Sequence, residues 1–247
     1  DWSSDVCSSD LEHITDINRA VGVFYKLTKL PVGTWFGYDY ESKSFPNESD
    51  FIATGLSIST ETESYWFDFR YLTDFARPNL IDYEGVEDEG LRKLNEAHRA
   101  FLEKHSRHCI VFNVNFEYMA TYRYLGDFYE YRDLNVVNIM SSRGVWQNLK
   151  WTSRYLLNIN SWDDQFEEFN SALSSQHKWD EDRIAEWDDE GNLTEIYWDK
   201  LSSKFSWLRP EDIEEMKEHA KVCLNSFYII PSYWLGKYCC KDAFYTL

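Results

Sequence analysis

The sequence predicts an α/β fold built on a mixed sheet, and three observations carry that prediction. Strand-like segments cluster early, at about 34–40 (TWFGYDY), 52–59 (IATGLSIS) and 65–69 (YWFDF), with short polar segments between them. That is the pattern of an antiparallel meander. After them, helical periodicity and apolar strand-like runs alternate along the chain, as they do when helices pack on a sheet. HCIVF at 108–112 is a short unbroken apolar run, as expected of a buried central strand.

The elements follow in order. Residues 13–30 carry Ile14, Ile17, Val21, Phe24, Tyr25 and Leu27 at helical spacing, closed by Pro31. The three meander strands come next. Leu91, Leu94, Ala97, Phe101 and Leu102 fall on one side of a helix over 89–104. The HCIVF strand leads into a helix at about 115–125, and the β-branched run at 134–139 (LNVVNI) predicts another strand. Residues 149–157 read as a helix. Residues 160–208 are polar, acidic and rich in Trp (Trp162, Trp179, Trp187, Trp198, Trp207), and read as an insertion. A turn at Asp188–Asn192 followed by LTEIYW predicts a small hairpin within it. A helix over 210–226 has Pro210 near its first turn with Glu211 and Asp212 beside it, which suits the helix dipole. A last helix begins near Ser232.

Composition narrows the possibilities. The 247 residues are 43% hydrophobic and 18% aromatic, which argues for a folded globule rather than disorder. No stretch approaches the roughly 18–20 apolar residues that cross a bilayer, so no membrane partner is expected. Residues 1–11, DWSSDVCSSDL, resemble translated sequencing-library adapter and are set aside as an artefact, with the genuine domain over 12–247. They have neither a basic start nor an apolar core, so they are not a signal peptide. Outside them Cys109, Cys223, Cys239 and Cys240 form no C-x-x-C pair, which argues against structural zinc and for reduced thiols in the cytoplasm. The net charge of −18 is uneven: residues 161–220 hold 18 Asp/Glu against 6 Lys/Arg, or −12. The remainder is mildly acidic and includes Arg92, Lys93, Arg99, Arg123, Arg143, Lys150 and Arg154. Carboxylates that hold divalent cations can still receive a polyanion, because the ions reverse the local sign.

Three fragments carry chemistry. Asp39 and Glu41 in GYDYES lie two apart on a strand and so project from one face. Two acids on one buried face repel unless a cation sits between them, and hard oxygen ligands suit Mg²⁺ or Mn²⁺. Alone, the pair also fits two solvent-facing acids at a strand end. Glu117 in FNVNFE follows the HCIVF strand, where residues commonly point into a crevice. Alone, it also fits a helix-start acid that favours the dipole. Tyr238 and Asp242 in YCCKDAFYTL are four apart on a helix and share a face, continued by Thr246. Alone, they also fit an ordinary surface pair.

Together, GYDYES, NVNFE and IPSYWLGKYCCKDAFYTL resemble the three exonuclease motifs of the DEDD superfamily, in its tyrosine-bearing branch. That branch includes the proofreading domains of family-A DNA polymerases and the RNase D-like nucleases. The resemblance spans about residues 15–247. It implies a ribonuclease H-like fold: an antiparallel three-strand meander joined to parallel strands and flanked by helices. It implies two divalent cations, Mg²⁺ or Mn²⁺, held by Asp39, Glu41, Glu117 and Asp242, with Tyr238 orienting the attacking water. Asn113 would contact the terminal nucleotide, and Phe116, Tyr118 and Trp146 are candidates for stacking on the terminal bases, though core packing is the stronger reading of each of the three. The second motif departs from the usual His-Asn-x-x-Phe-Asp: Phe112 stands at the His position and Glu117 at the Asp position. Glutamate keeps the charge and carries it one methylene further. Asn138-Ile139 replaces a common Asp-Thr.

The implied function is two-metal-ion removal of nucleotides from a single-stranded or frayed 3′ end, DNA rather than RNA. The setting would be proofreading in a phage-like DNA polymerase, in the host cytoplasm, with a polymerase domain after Leu247. An RNase D-like exoribonuclease is the enzyme alternative. A degenerate scaffold that binds through the acidic Trp-rich insertion is the non-enzyme alternative.

Overall fold

A six-stranded mixed sheet flanked by helices gathers the residues that matter. A computed structural model of the chain describes residues 11–49, 51–72, 88–141, 148–158, 164–176, 195–223 and 225–247. The strands are β1 (Leu11–Ile14), β2 (Phe36–Ser42), β3 (Ala53–Ser59), β4 (Ser64–Asp68), β5 (Cys109–Val111) and β6 (Arg132–Asp133), ordered in space β1-β4-β3-β2-β5-β6. β2, β3 and β4 form the expected antiparallel meander. β5 runs parallel to β2, β6 parallel to β5, and β1 parallel to β4. Leu11, the last residue of the adapter-like string, is the first of β1, opposite Ser64.

The chain divides into two units, Asp1–Trp162 with Gly236–Leu247, and Asp163–Leu235. In the first, strand alternation separates two faces of the sheet. Phe36, Tyr38 and Tyr40 of β2 face one way with Leu56, Ile58, Tyr65 and Phe67 across the register, and all are buried. Against this face pack α1 (Ile17–Lys29) and, beyond the short α2 (Phe69–Leu72), α3 (Glu89–His105). Phe24 of α1 stacks on Phe67 at 4.4 Å and on His98 of α3 at 4.5 Å. Each such ring contributes roughly 1.5–3 kcal/mol by leaving water. The buried phenol of Tyr38 donates to Tyr40 at 3.1 Å and meets His98 Nε2 at 2.9 Å, so the polar tips are satisfied inside the core. Both helices start on aspartate caps. Asp16 accepts from the Arg19 amide, and Asp88 from those of Gly90 and Leu91.

The other face is made of small residues. Gly37, Asp39 and Glu41 of β2 lie across from Ser59, Ser57 and Gly55 of β3. α4 (Val114–Leu125), α5 (Leu134–Ser141) and α6 (Leu149–Leu157) complete the middle of this unit. In the second unit come α7 (Asp164–Gln176), α8 (Glu195–Lys204), α9 (Pro210–Val222) and α10 (Ser226–Ile229). The last helix, α11 (Ser232–Thr246), carries the chain back to the small-residue face. Ser57 Oγ donates to Cys239 O at 3.0 Å and Ser59 Oγ to Cys240 O at 3.1 Å. The approach is so close that a Cβ on Gly37 would lie 1.7 Å from the carbonyl oxygen of Ala243. Gly236 meets the ring of buried Trp66 in the same way.

Four expectations are corrected. The helix expected over 13–30 begins only at Ile17, because His13 and Ile14 pair with Trp66 and Phe67 as part of β1. Residues 134–139 are helical, not a strand; only Arg132–Asp133 pairs with β5. Asp133 is the reason: its Oδ1 accepts from the Asn135 and Val136 amides at 2.7 and 3.2 Å and so starts a helix despite the β-branched run. Within LTEIYW the described residues, Glu195 to Trp198, form no strand either, because they open α8. Buried Tyr197, Trp198, Leu201 and Phe205 follow a helical period that the three-residue apolar run concealed. The expected hairpin at 160–208 is thus replaced, among the described residues, by α7 and α8; the turn at 188–192 lies outside them. The helix expected over 210–226 stops at Val222, and α10 follows it.

In the second unit the aromatics form core. Phe169 meets Phe205 edge-on at 5.0 Å and Trp207 at 5.2 Å, and Trp198 is buried. Pro210 sits at the start of α9, where Asp212 accepts from the Arg209 amide at 2.9 Å. Among the described residues no helix is long and apolar enough to cross a membrane.

Candidate metal centre

The small-residue face brings three carboxylates together. Asp39 and Glu41 project from it because they are two apart on β2. Asp242 arrives on α11, which Gly37, Ser57 and Ser59 allow to sit against the sheet. One carboxylate oxygen from each of Asp39, Glu41 and Asp242 lies within 4.8 Å of the other two. Tyr238, one turn before Asp242, is half-buried, and its phenol is hydrogen-bonded to that carboxylate.

Glu117 joins from the first turn of α4, 2% exposed. It falls outside the trio whose oxygens lie within 4.8 Å, yet its charge acts on Asp39. Asn113 precedes α4 as its N-cap and is exposed; its carbonyl accepts from the Phe116 and Glu117 amides, while its side chain makes no capping bond. Phe116 is half-buried against the core and meets the exposed ring of Phe45 edge-on at 6.5 Å. Tyr118 is exposed and stacks on Phe128 at 4.5 Å. Trp146 lies outside the described residues.

The electrostatics are those of a strained acidic cluster. Burial, followed by the charges of Glu41, Glu117 and Asp242, raises the Asp39 carboxyl well above the usual range. Burial and the Asp242 charge push Glu41 up to about 8, against the opposing pull of a hydrogen bond with Cys239 and the charge of Lys150. Burial chiefly, with Asp133 and Glu41 adding to it, raises Glu117. Burial and the adjacent carboxylates raise the Tyr238 phenol, which keeps it protonated. Asp39 Oδ2 and Glu117 Oε2 are buried with no hydrogen-bond partner. Orphaned, mutually repelling carboxylate oxygens are costly inside a protein. A hard divalent cation relieves both costs, so this donor set fits Mg²⁺ or Mn²⁺.

Two contributors were not singled out in the sequence. Cys239 lies beneath Glu41 and is raised by burial and by three of the site carboxylates. Lys150, noted only as one basic position among several, has its ammonium 5.7 Å from the centre of the Tyr238 ring. Helical spacing could have put Cys239 near Tyr238 and Asp242, but nothing local told which face of α6 meets the site.

A pH dependence follows. Glu41 gives up its proton near its ordinary 4.5 when unfolded and at about 8 when folded. The folded chain therefore holds more protons between those values, and stability falls as pH rises through them. Asp39 and Glu117 shift in the same direction. In EDTA, the melting temperature is expected to fall by about 5–10 °C between pH 5 and pH 9. Millimolar Mn²⁺ at pH 9 is expected to restore most of that loss. Thermal denaturation by circular dichroism measures both, and a flat metal-free profile would contradict the burial of these acids.

A scan of the chain against protein-family models finds no match, and a search among curated proteins finds none either.

Proposed function

We propose that the chain is a metal-dependent 3′→5′ exonuclease that shortens a single-stranded or frayed DNA end by phosphodiester hydrolysis. One observation carries the reading: Asp39, Glu41 and Asp242 converge within 4.8 Å although about 200 residues separate the first from the last. The orphaned oxygens of Asp39 and Glu117 support it, because they mark unused ligand capacity at the same place. Leaving β1 aside, the order β4-β3-β2-β5-β6, antiparallel on one side of β2 and parallel on the other, is compatible with a ribonuclease H-like fold.

Divalent cations held there would supply positive charge to the phosphate and its attacking water. The chain's own residues do the rest. Asp39, Glu41 and Asp242 define the ion position, and Glu117 adds a fourth carboxylate from α4. The protonated Tyr238 phenol, fixed by Asp242, holds and aims the water. Exposed Asn113 and half-buried Phe116, next to Glu117 on the chain, meet the terminal nucleotide. The motif resemblance makes DNA the substrate, and proofreading within a cytoplasmic DNA polymerase the setting.

The test is a 5′-labelled single-stranded oligonucleotide incubated with the purified protein and Mg²⁺ or Mn²⁺. The expected result is a ladder shortening from the 3′ end that EDTA and a blocked 3′ terminus both stop. An RNA strand of the same sequence should be cut more slowly. No shortening with either ion, together with no Mn²⁺ binding, would remove the proposal.

A further inference from the structure

Lys150 occupies the first turn of α6, a helix anchored by Asn148, whose Oδ1 accepts from the Trp151 amide at 2.7 Å and whose carbonyl accepts from the Thr152 amide at 3.0 Å. The lysine is half-buried, and its ammonium stands 5.7 Å from the centroid of the Tyr238 ring, within the range of a favourable cation–π contact. The same charge counteracts the rise of the Glu41 carboxyl, so it also lies within electrostatic reach of the carboxylate trio. A positive group is therefore held beside the phenol and beside the acids at once. Four carboxylates matched by two divalent cations are neutral, and a phosphodiester entering that site brings one further negative charge.

We propose that Lys150 is a substrate-binding residue that receives a non-bridging oxygen of a backbone phosphate near the strand's 3′ end, on the Tyr238 side of the site. The inference rests on the nuclease reading and goes beyond it by naming a residue outside the motif set. Lysine suits this part: a compact charge with three donors on a flexible stem follows a phosphate without needing bidentate geometry. Its fixed helix start and its contact with the Tyr238 ring limit that flexibility to the neighbourhood of the reacting bond.

The experiment compares wild type, Lys150→Gln and Lys150→Arg on a dye-labelled single-stranded DNA oligonucleotide. Binding is read by fluorescence anisotropy in Ca²⁺ over a range of salt, and cleavage in Mg²⁺. Removing one phosphate contact on a single strand should make the slope of log affinity against log salt shallower by about 0.7. Lys150→Gln is expected to show that change and a roughly 10- to 100-fold lower kcat/KM, the scale of one charged hydrogen bond. Lys150→Arg should keep the slope and recover most of the rate. Mn²⁺ affinity should stay within about twofold in both variants. A merely structural role leaves the salt slope untouched. An unchanged slope in Lys150→Gln, or a Mn²⁺ affinity lowered more than about tenfold, would overturn the assignment, the latter by giving the lysine to the carboxylates instead. Should Lys150→Gln fail to fold, Lys150→Met, which keeps the stem, is measured in the same way. If wild type neither binds nor shortens the strand, the nuclease reading itself falls. If wild type cuts and only the lysine variants behave as wild type, the lysine assignment alone falls.

Discussion

Asp39→Ala is expected to abolish metal-dependent shortening of a DNA strand, by about 10³-fold or more, and to leave the metal-free protein folded. Asp39 stands at the middle of the cluster: Glu41, Glu117 and Asp242 all act on its carboxyl, and its Oδ2 is one of the two orphaned oxygens among the four acids. On the proposed reading, removing it deletes a metal ligand that no neighbour replaces. It also deletes a buried charge that its neighbours repel, so Asp39→Asn should raise the metal-free melting temperature at pH 8. The two effects have opposite signs, and that separates a ligand from a structural acid. Loss of activity accompanied by a lower melting temperature would assign Asp39 to the fold. Gel-resolved cleavage and thermal denaturation of the same preparation decide it.

Gly37→Ala is expected to be the most damaging small substitution outside the acids. Its Cβ would lie 1.7 Å from the Ala243 carbonyl oxygen, and that atom belongs to helix backbone that cannot swing aside. α11 must move away from β2. Overpacking of this kind costs about 3 kcal/mol, near the upper end of its usual range, which lowers the melting temperature by roughly 10 °C. Tyr238 and Asp242 ride on α11, so the carboxylate trio opens as the helix lifts. A displacement near 1 Å costs about 10²-fold in rate. Gly22→Ala serves as the control: Gly22 lies inside α1, nothing stands within 4 Å of its added Cβ, and stability should rise by about 0.5–1 kcal/mol. Equal behaviour of the two alanine variants would mean that α11 does not press on β2.

The sheet was legible wherever alternation or an unbroken apolar run was strong. β2 to β5 fall within two residues of their expected bounds, and α6 matches them. β6 and α5 were misread because Val136 and Val137 favour a strand locally while Asp133 caps a helix with two hydrogen bonds. A cap one residue before an apolar run outweighs the propensity of the run. The carboxylate pair on β2 was legible because strand period is strict. The meeting of that pair with Asp242 came from motif order, since no local rule joins a strand to a helix about 200 residues later. Glu117 was expected among the four metal-binding acids; it is buried in the first turn of α4 and its charge acts on Asp39, but it falls outside the trio whose oxygens lie within 4.8 Å of one another. Lys150 was illegible as a site residue, because the face a short helix turns inward depends on packing that its own nine residues do not encode.

The glycine and serine floor under α11 has a consequence for the order of events on the ribosome. Asp39, Glu41 and Glu117 emerge early, whereas the helix bearing Tyr238 and Asp242 emerges only after the whole of Asp163–Leu235. Until that helix seats itself in its groove of small side chains, the carboxylate trio lacks Asp242. On the nuclease reading proposed above, a chain that has not yet made this helix is inactive, and the seating of α11 is the step that completes the site.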